Sequence, residues 1–299
     1  MRQVKQILCP VDLSNESRHA VEHALVIARW YKKSITALHV FNPLVIPSTD
    51  VTLVGGVPPV LTEEEIKDAS DEVTACFASA PGGYAGVPLD VVVESGPPAR
   101  QILARAKSLA PDLIVIGTHG HGGFQHLVLG SVAEKVLRQA ASPVLTVPPR
   151  TQATSSLPFK RILCPVDFSD SSQSALDVAL SLAREGNADL TILHVLEWPD
   201  ALPPNRPVPT LEFRDAAERD VTAMLAQLVP EADRERCHPT IRLREGKAYR
   251  EILEVATDGP ADLIVMGVHG RNPLDLMLFG STTNQVVRRA TCPVLTLRT

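Results

Sequence analysis

The clearest chemistry in this 299-residue chain lies in a glycine pattern that occurs twice. Gly117-Thr118-His119-Gly120 is followed, nine residues later, by Gly130-Ser131-Val132. Gly267-Val268-His269-Gly270 is followed, again nine residues later, by Gly280-Ser281-Thr282. Each pattern comes directly after a short apolar run, Leu113–Ile116 or Leu263–Met266, and leads into a segment of helical periodicity. Glycine after a strand lets a ligand approach the backbone closely. A Gly-Ser pair opening a helix presents free N–H groups, a hydroxyl and the positive end of the helix dipole to an anion. That combination suits the phosphates of a nucleotide. The opposite lip of such a site is Pro10-Val11-Asp12 and Pro165-Val166-Asp167, each closing an apolar run. An acid at the carboxyl end of a strand can accept hydrogen bonds from ribose hydroxyls, as in dinucleotide-binding folds. Two plainer readings compete. The glycines could serve only tight turns, and each aspartate could serve only as a helix cap.

The elements that must hold these residues are written twice. Residues 6–40 and 161–195 align without gaps, with 17 of 35 positions identical. The later segments 111–120 and 142–147 match 261–270 and 292–297. The offset falls from 155 to 150 along the way, so one unit of about 147 residues is duplicated with a five-residue change inside it. That period is far too long for a solenoid repeat. The expected domains are 1–148 and 160–299, joined by a Pro- and Ser-rich linker at 149–159.

Within a unit, apolar runs alternate with amphipathic segments. In the first unit the spacing predicts strands at 4–11, 34–41, 89–93, 113–116 and 144–147. Helices are expected after Ser14 or Asn15, after Thr62, over 98–109 and over 131–140. Thr62 with Glu65 three residues on is a capping box. The second unit repeats the strands near 161–166, 190–196, 240–243, 263–266 and 294–297. This order implies an α/β fold: two tandem, doubly wound domains, each a five-stranded parallel sheet with helices on both faces.

Composition narrows the function. With 29 Lys+Arg against 34 Asp+Glu, the net charge of −5 lacks the basic excess of a nucleic-acid or anionic-membrane binder. No apolar run approaches the roughly 18 residues of a membrane helix, and the N-terminal segment does not read as a signal peptide. Five scattered cysteines do not make a disulfide framework, so a cytoplasmic location is expected.

These residues resemble the universal stress protein family in its tandem two-domain form. The likeness rests on strand–Pro-Val-Asp–Ser, the long loop after the second strand, Asp-Leu-Ile-Val before Gly-x-His-Gly, and Gly-Ser opening a helix. It covers nearly the whole chain. It implies the sheet order 3-2-1-4-5 and ATP bound at the switch point between the first and fourth strands, where Asp12 and Gly117 should meet. Carried over, the backbone of Val40 and Val195 would contact adenine, and Asp12 and Asp167 would hold ribose. Gly117, Gly120, Gly130 and Ser131 would cradle ribose and phosphates, as would Gly267, Gly270, Gly280 and Ser281. Mg²⁺, where the nucleotide brings it, would meet Ser131 or Ser281. The second loop departs from the pattern with Arg271-Asn272-Pro273-Leu274-Asp275, so the first site is the better match.

Other features set limits. The chain has no GxxxxGK motif, hence no phosphate-loop lysine, and no general base or arginine finger accompanies the glycines. Binding with little or slow hydrolysis is expected; a slow ATPase, or a sensor or scaffold for another ligand, is the alternative. His119, His121 and His126 share one loop without a carboxylate or cysteine cluster, so loop packing or a phosphate-facing role is favoured over metal. His39 and His194 should be hydrogen-bonded near the cleft, and Cys9 and Cys164 should be small buried hydrophobes. The last strands, 144–147 and 294–297, are apolar edges. Pairing between them would give a pseudo-twofold arrangement within one chain, and the resemblance implies the same use of this strand. A homodimer between chains is compatible with the sequence, although no residue argues for it.

Overall fold

The computed structural model describes residues 6–42, 61–118, 129–149, 159–197, 211–237, 239–268 and 280–298. The chain divides into two compact units, Arg2–Leu157 and Pro158–Thr299. The first contains β1 (Gln6–Pro10), α1 (Ser17–Tyr31), β2 (Ser34–Phe41), α2 (Glu63–Ser79), β3 (Leu89–Ser95), α3 (Pro98–Leu109), β4 (Leu113–Gly117), α4 (Ser131–Gln139) and β5 (Val144–Val147). Its strands lie in the order β3-β2-β1-β4-β5, every described pair parallel.

The second unit contains β6 (Arg161–Pro165), α5 (Asp170–Gly186), β7 (Asp189–Leu196), α6 (Leu211–Leu228), α7 (Glu231–Cys237), β8 (Thr240–Glu245), α8 (Ala248–Asp258), β9 (Leu263–Gly267), α9 (Ser281–Arg289) and β10 (Val294–Leu297). Its order is β8-β7-β6-β9-β10, also parallel. Both are doubly wound parallel sheets, as the alternating pattern implies, in the 3-2-1-4-5 order that the family resemblance implies.

The central strands are apolar throughout because helices cover both of their faces. Ile7, Leu8 and Cys9 of β1 and Ile114 and Val115 of β4 are completely buried, as are Leu263, Ile264 and Val265 of β9. In the first unit α1 packs with α2, and α3 with α4. Each fully buried Leu or Ile contributes on the order of 1.5–3 kcal/mol relative to exposure, which holds the strand ends rigidly.

Several starts are set by local chemistry. The Thr62 hydroxyl accepts from Glu65 N at 3.2 Å, while the Glu65 carboxylate accepts from Thr62 N at 2.8 Å, the capping box expected from the sequence. That backbone N–H, and then the Thr62 hydroxyl, hold the Glu65 carboxyl below its ordinary range. β3, β4, β8 and β9 run one or two residues further than periodicity predicts, through their last residues before the glycine turns. α7 was not expected. It follows Pro230, and its Asp233 is buried against Arg184 of α5 at 3.0 Å. Pro followed by acids was its available signal. Among the described residues, no helix is long and apolar enough to cross a membrane.

Candidate functional site

The first and fourth strands part toward their carboxyl ends. β1 pairs with β2 through Pro10, but with β4 only at Ile7–Leu113 and Leu8–Ile114. β6 and β9 repeat this, pairing only at Ile162–Leu263 and Leu163–Ile264. The opening lies at the topological switch point, where α/β sheets place their ligands.

One lip is the turn after the first strand. Pro10 and Pro165 end β1 and β6. Val11 and Val166 are buried, and their N–H groups still reach the second strand, at Leu38 O (2.9 Å) and Leu193 O (2.8 Å). Asp12 and Asp167 follow, half-buried. Neither caps its helix directly. Asp12 Oδ1 accepts from Ser14 N (3.0 Å) and Ser14 Oγ (2.6 Å), and Asp167 Oδ1 accepts from Ser169 N (3.0 Å) and Ser169 Oγ (2.5 Å). The serine oxygens in turn accept from Ser17 N at 3.2 Å and Ser172 N at 3.3 Å; Ser169 is thereby the N-cap of α5, whereas Ser14 ties down the turn before α1, whose cap position is Glu16. The residue between aspartate and serine, Leu13 or Phe168, is left-handed, with φ 63° or 64°. That turn aims the carboxylate back across the serine. Ser169→Ala is expected to cost about 1 kcal/mol, the usual worth of an N-cap, measurable as a lowered urea midpoint.

His39 and His194, near the end of β2 and β7, each bond through Nδ1 to the carbonyl of Val11 (2.9 Å) or Val166 (2.6 Å). The Phe168 ring lies 4.9 Å from that of His194. Val40 and Val195, the next residues, are half-buried one position before their strands end.

The other lip is the end of the fourth strand. Gly117 and Gly267 close β4 and β9. Thr118 N and Val268 N continue the pairing, to Val147 O at 3.1 Å and Leu297 O at 2.9 Å. The chain then returns: Gly130 N donates to Thr118 O at 2.8 Å, and Gly280 N to Val268 O at 3.1 Å. These bonds fix the N-termini of α4 and α9 beside the strand ends. Neither helix has a side-chain cap, since glycine occupies the cap position. Ser131 and Ser281, their first residues, are exposed, and Val132 and Thr282 are half-buried. His119, Gly120, His269 and Gly270 lie outside the described residues, as do the other loop histidines and Arg271–Asp275.

Two glycines have a packing reason of their own. A Cβ on Gly267 would sit 2.5 Å from Ser171 Oγ and 2.8 Å from Ser171 C, because the first turn of α5 presses on the strand. A Cβ on Gly280 would lie 2.8 Å from the Val268 carbonyl oxygen. These two positions therefore exclude a side chain by close packing, a demand separate from a tight turn, since neither has a left-handed φ. Thr283 adds a bond from its hydroxyl to Gly267 O at 2.9 Å. Ser14 was legible only as a cap, and Ser169, Ser171 and Ser172 were not singled out. The signal for their wider role was the Pro-Val-Asp-x-Ser string, present in both units.

Three of the five cysteines, Cys9, Cys164 and Cys292, are buried. No two form a disulfide. Cys9 and Cys164 are completely buried, and burial pushes both thiols far above their ordinary range; Cys292 is pushed up to about 12 by the same cause. Folded thiols that stay protonated stabilise the protein below the ordinary thiol value of about 8.5. That stability is lost as pH rises toward the folded values, because the unfolded chain then binds fewer protons. Native protein at pH 8 should leave Cys9 and Cys164 unalkylated by iodoacetamide, and urea should expose both. Labelling of either in the native state would contradict their burial. Among the described residues, no group of His, Cys, Asp or Glu is arranged to hold a metal ion.

The family model described as the universal stress protein family matches residues 3–148 and again 158–298. A universal stress protein of Mycolicibacterium smegmatis is 31% identical over 301 residues, covering 98% of this chain and 96% of its own length. One from Methanocaldococcus jannaschii is 33% identical over 147 residues, 48% of this chain and 81% of its own. The crystal structure of a universal stress protein from Archaeoglobus fulgidus superposes with a TM-score of 0.63 over 99% of this chain and 97% of its own, at 22% identity, which supports the fold. Two matches to one family model, on two sheets of one topology, show that the chain belongs to the universal stress protein family and carries its domain in tandem.

Proposed function

We propose that the protein binds adenine nucleotide, ATP by preference, at one site in each unit, and that it acts in regulation or stress response with little or no hydrolysis. One observation carries the reading. In both units a half-buried aspartate follows the first strand and a glycine-started helix is pinned to the end of the fourth, where those two strands part. In this reading Asp12 and Asp167 accept from ribose hydroxyls, and the backbone of Val40 and Val195 meets adenine. The first-turn N–H groups and hydroxyls of Ser131 and Ser281 meet phosphate. The near-neutral composition fits recognition by backbone dipoles rather than by a lysine. A magnesium ion accompanying the nucleotide would neutralise phosphate charge and find a hydroxyl at Ser131 or Ser281. Slow turnover at most is the expectation from the missing phosphate-loop lysine.

Mass analysis of nucleotide released from natively purified protein tests this. Adenine nucleotide approaching two equivalents per chain is expected. Protein that emerges empty, and shows no calorimetric response to ATP, would overturn it. A scaffold or a sensor of another ligand is the second reading, favoured by the packing demand on Gly267 and Gly280, which preserves those glycines without any nucleotide.

A further inference from the structure

The junction of α8 and α9 in the second unit carries a cluster that the nucleotide reading does not use. Tyr249 lies in the first turn of α8 and is partly exposed. Arg250 Nε donates to its hydroxyl oxygen at 3.0 Å. Arg289, the last residue of α9, places its guanidinium carbon 5.2 Å from the centre of the Tyr249 ring, and Arg250 places its own at 5.7 Å. Neither arginine is ion-paired among the described residues. Glu254 is the acid whose charge reaches Arg250. The corresponding positions of the first unit are Ala99, Arg100 and Gln139, so the phenol and one guanidinium belong to the second copy alone.

One guanidinium bonded to the phenol oxygen and a second over the same ring favour negative charge at that point. The phenol's acidity responds accordingly: the Arg250 hydrogen bond first, then the charges of Arg250 and Arg289, hold it below its ordinary range. Planar guanidinium forks match phosphate oxygens, and their bonds to it are charge-assisted. The first turn of a helix adds its dipole.

We propose that Tyr249, Arg250 and Arg289 form a phosphate-monoester site, with the two guanidiniums receiving the dianion. The dianion has two sources of the same chemistry: a phosphate free in solution, to which the phenol donates, or one esterified to Tyr249 itself. In the second case a separate tyrosine kinase supplies the phosphoryl group from a nucleoside triphosphate. The phenol oxygen forms the new P–O bond, the bond to the departing nucleoside diphosphate breaks, and the phenol proton leaves to the kinase's base.

The experiment uses the full chain and an Arg250→Gln, Arg289→Gln double variant, which leaves every residue of the nucleotide cleft in place. In one arm, phosphotyrosine is incorporated at 249 and its ionisation is followed by phosphorus NMR. A free phosphotyrosine loses its second proton near pH 6, and the site should move this about one pH unit lower than in the double variant. In the other arm, inorganic phosphate is titrated at constant ionic strength while the arginine Nε–H signals are followed. A saturable shift of those two signals, lost when the residues are replaced, is expected if the source is free phosphate. A response in either arm supports the site and identifies its source. Equal ionisation with and without the arginines, together with no saturable shift, overturns it, and leaves the nucleotide reading untouched.

Discussion

Replacing Gly267 or Gly280 by alanine should destabilise the second unit by on the order of 2–3 kcal/mol with no nucleotide present. The methyl group at 267 would enter the first turn of α5, meeting backbone as well as side-chain atoms of Ser171 below 3.0 Å. At 280 it would meet the carbonyl oxygen of Val268, which already accepts the Gly280 N–H. Neither obstacle is the far end of a flexible side chain, so relief requires the helix to lift from the sheet. Gly86 makes the contrast. Nothing lies within 4 Å of its Cβ position, but its φ is +76°, so Gly86→Ala should cost only the left-handed strain, roughly 1–2 kcal/mol. Urea unfolding of nucleotide-free protein reads all three. An unchanged midpoint for the 267 and 280 variants would mean that the close approach of α5 and β9 is not a packing constraint. The result bears on the usual interpretation of such patterns: loss of ligand in a glycine variant of this fold can report a displaced helix rather than a lost contact.

Asp12→Ala combined with Asp167→Ala should empty both clefts. A hydrogen bond to a charged group is worth about 1.5–3 kcal/mol, so each site should bind ATP about 10–150-fold more weakly, and purified protein should carry no nucleotide. The same substitution strips Ser14 and Ser169 of the oxygen that orders them, so some loss of stability accompanies it. Asparagine separates the two effects. Its carbonyl oxygen can still accept from the serine N–H and hydroxyl, keeping the turn and the helix start, while the charge offered to ribose is gone. Retained stability with weakened binding in Asp12→Asn and Asp167→Asn is the expected pattern, by unfolding and calorimetry together. Full retention of ATP by the alanine pair would remove the aspartates from the site.

Much of this arrangement was readable from residue order. Alternating apolar runs such as Leu113–Gly117 and amphipathic segments such as Ser131–Gln139 gave the doubly wound sheet, because strands buried on both faces admit little polarity. Thr62 with Glu65 gave a helix start whose two bonds are both present. The strand ends extended beyond expectation because backbone pairing does not stop where apolarity does: Glu94 and Ser95 of β3 still pair with Val40 and Phe41. The site was legible in its parts, not in its wiring. Pro-Val-Asp and Gly-Ser mark the two lips, but that each aspartate works through a serine depends on a left-handed residue at 13 and 168. Leucine and phenylalanine give no local hint of that conformation. Likewise, the sequence could not divide ligand approach from helix packing at Gly267, since both demand the same missing methyl group.

The bond from His39 to Val11, and from His194 to Val166, fixes more than position. A backbone carbonyl can only accept, so Nδ1 must be the protonated nitrogen in the neutral ring. The turn that presents Asp12 or Asp167 thereby also sets the tautomer of the histidine on the neighbouring strand.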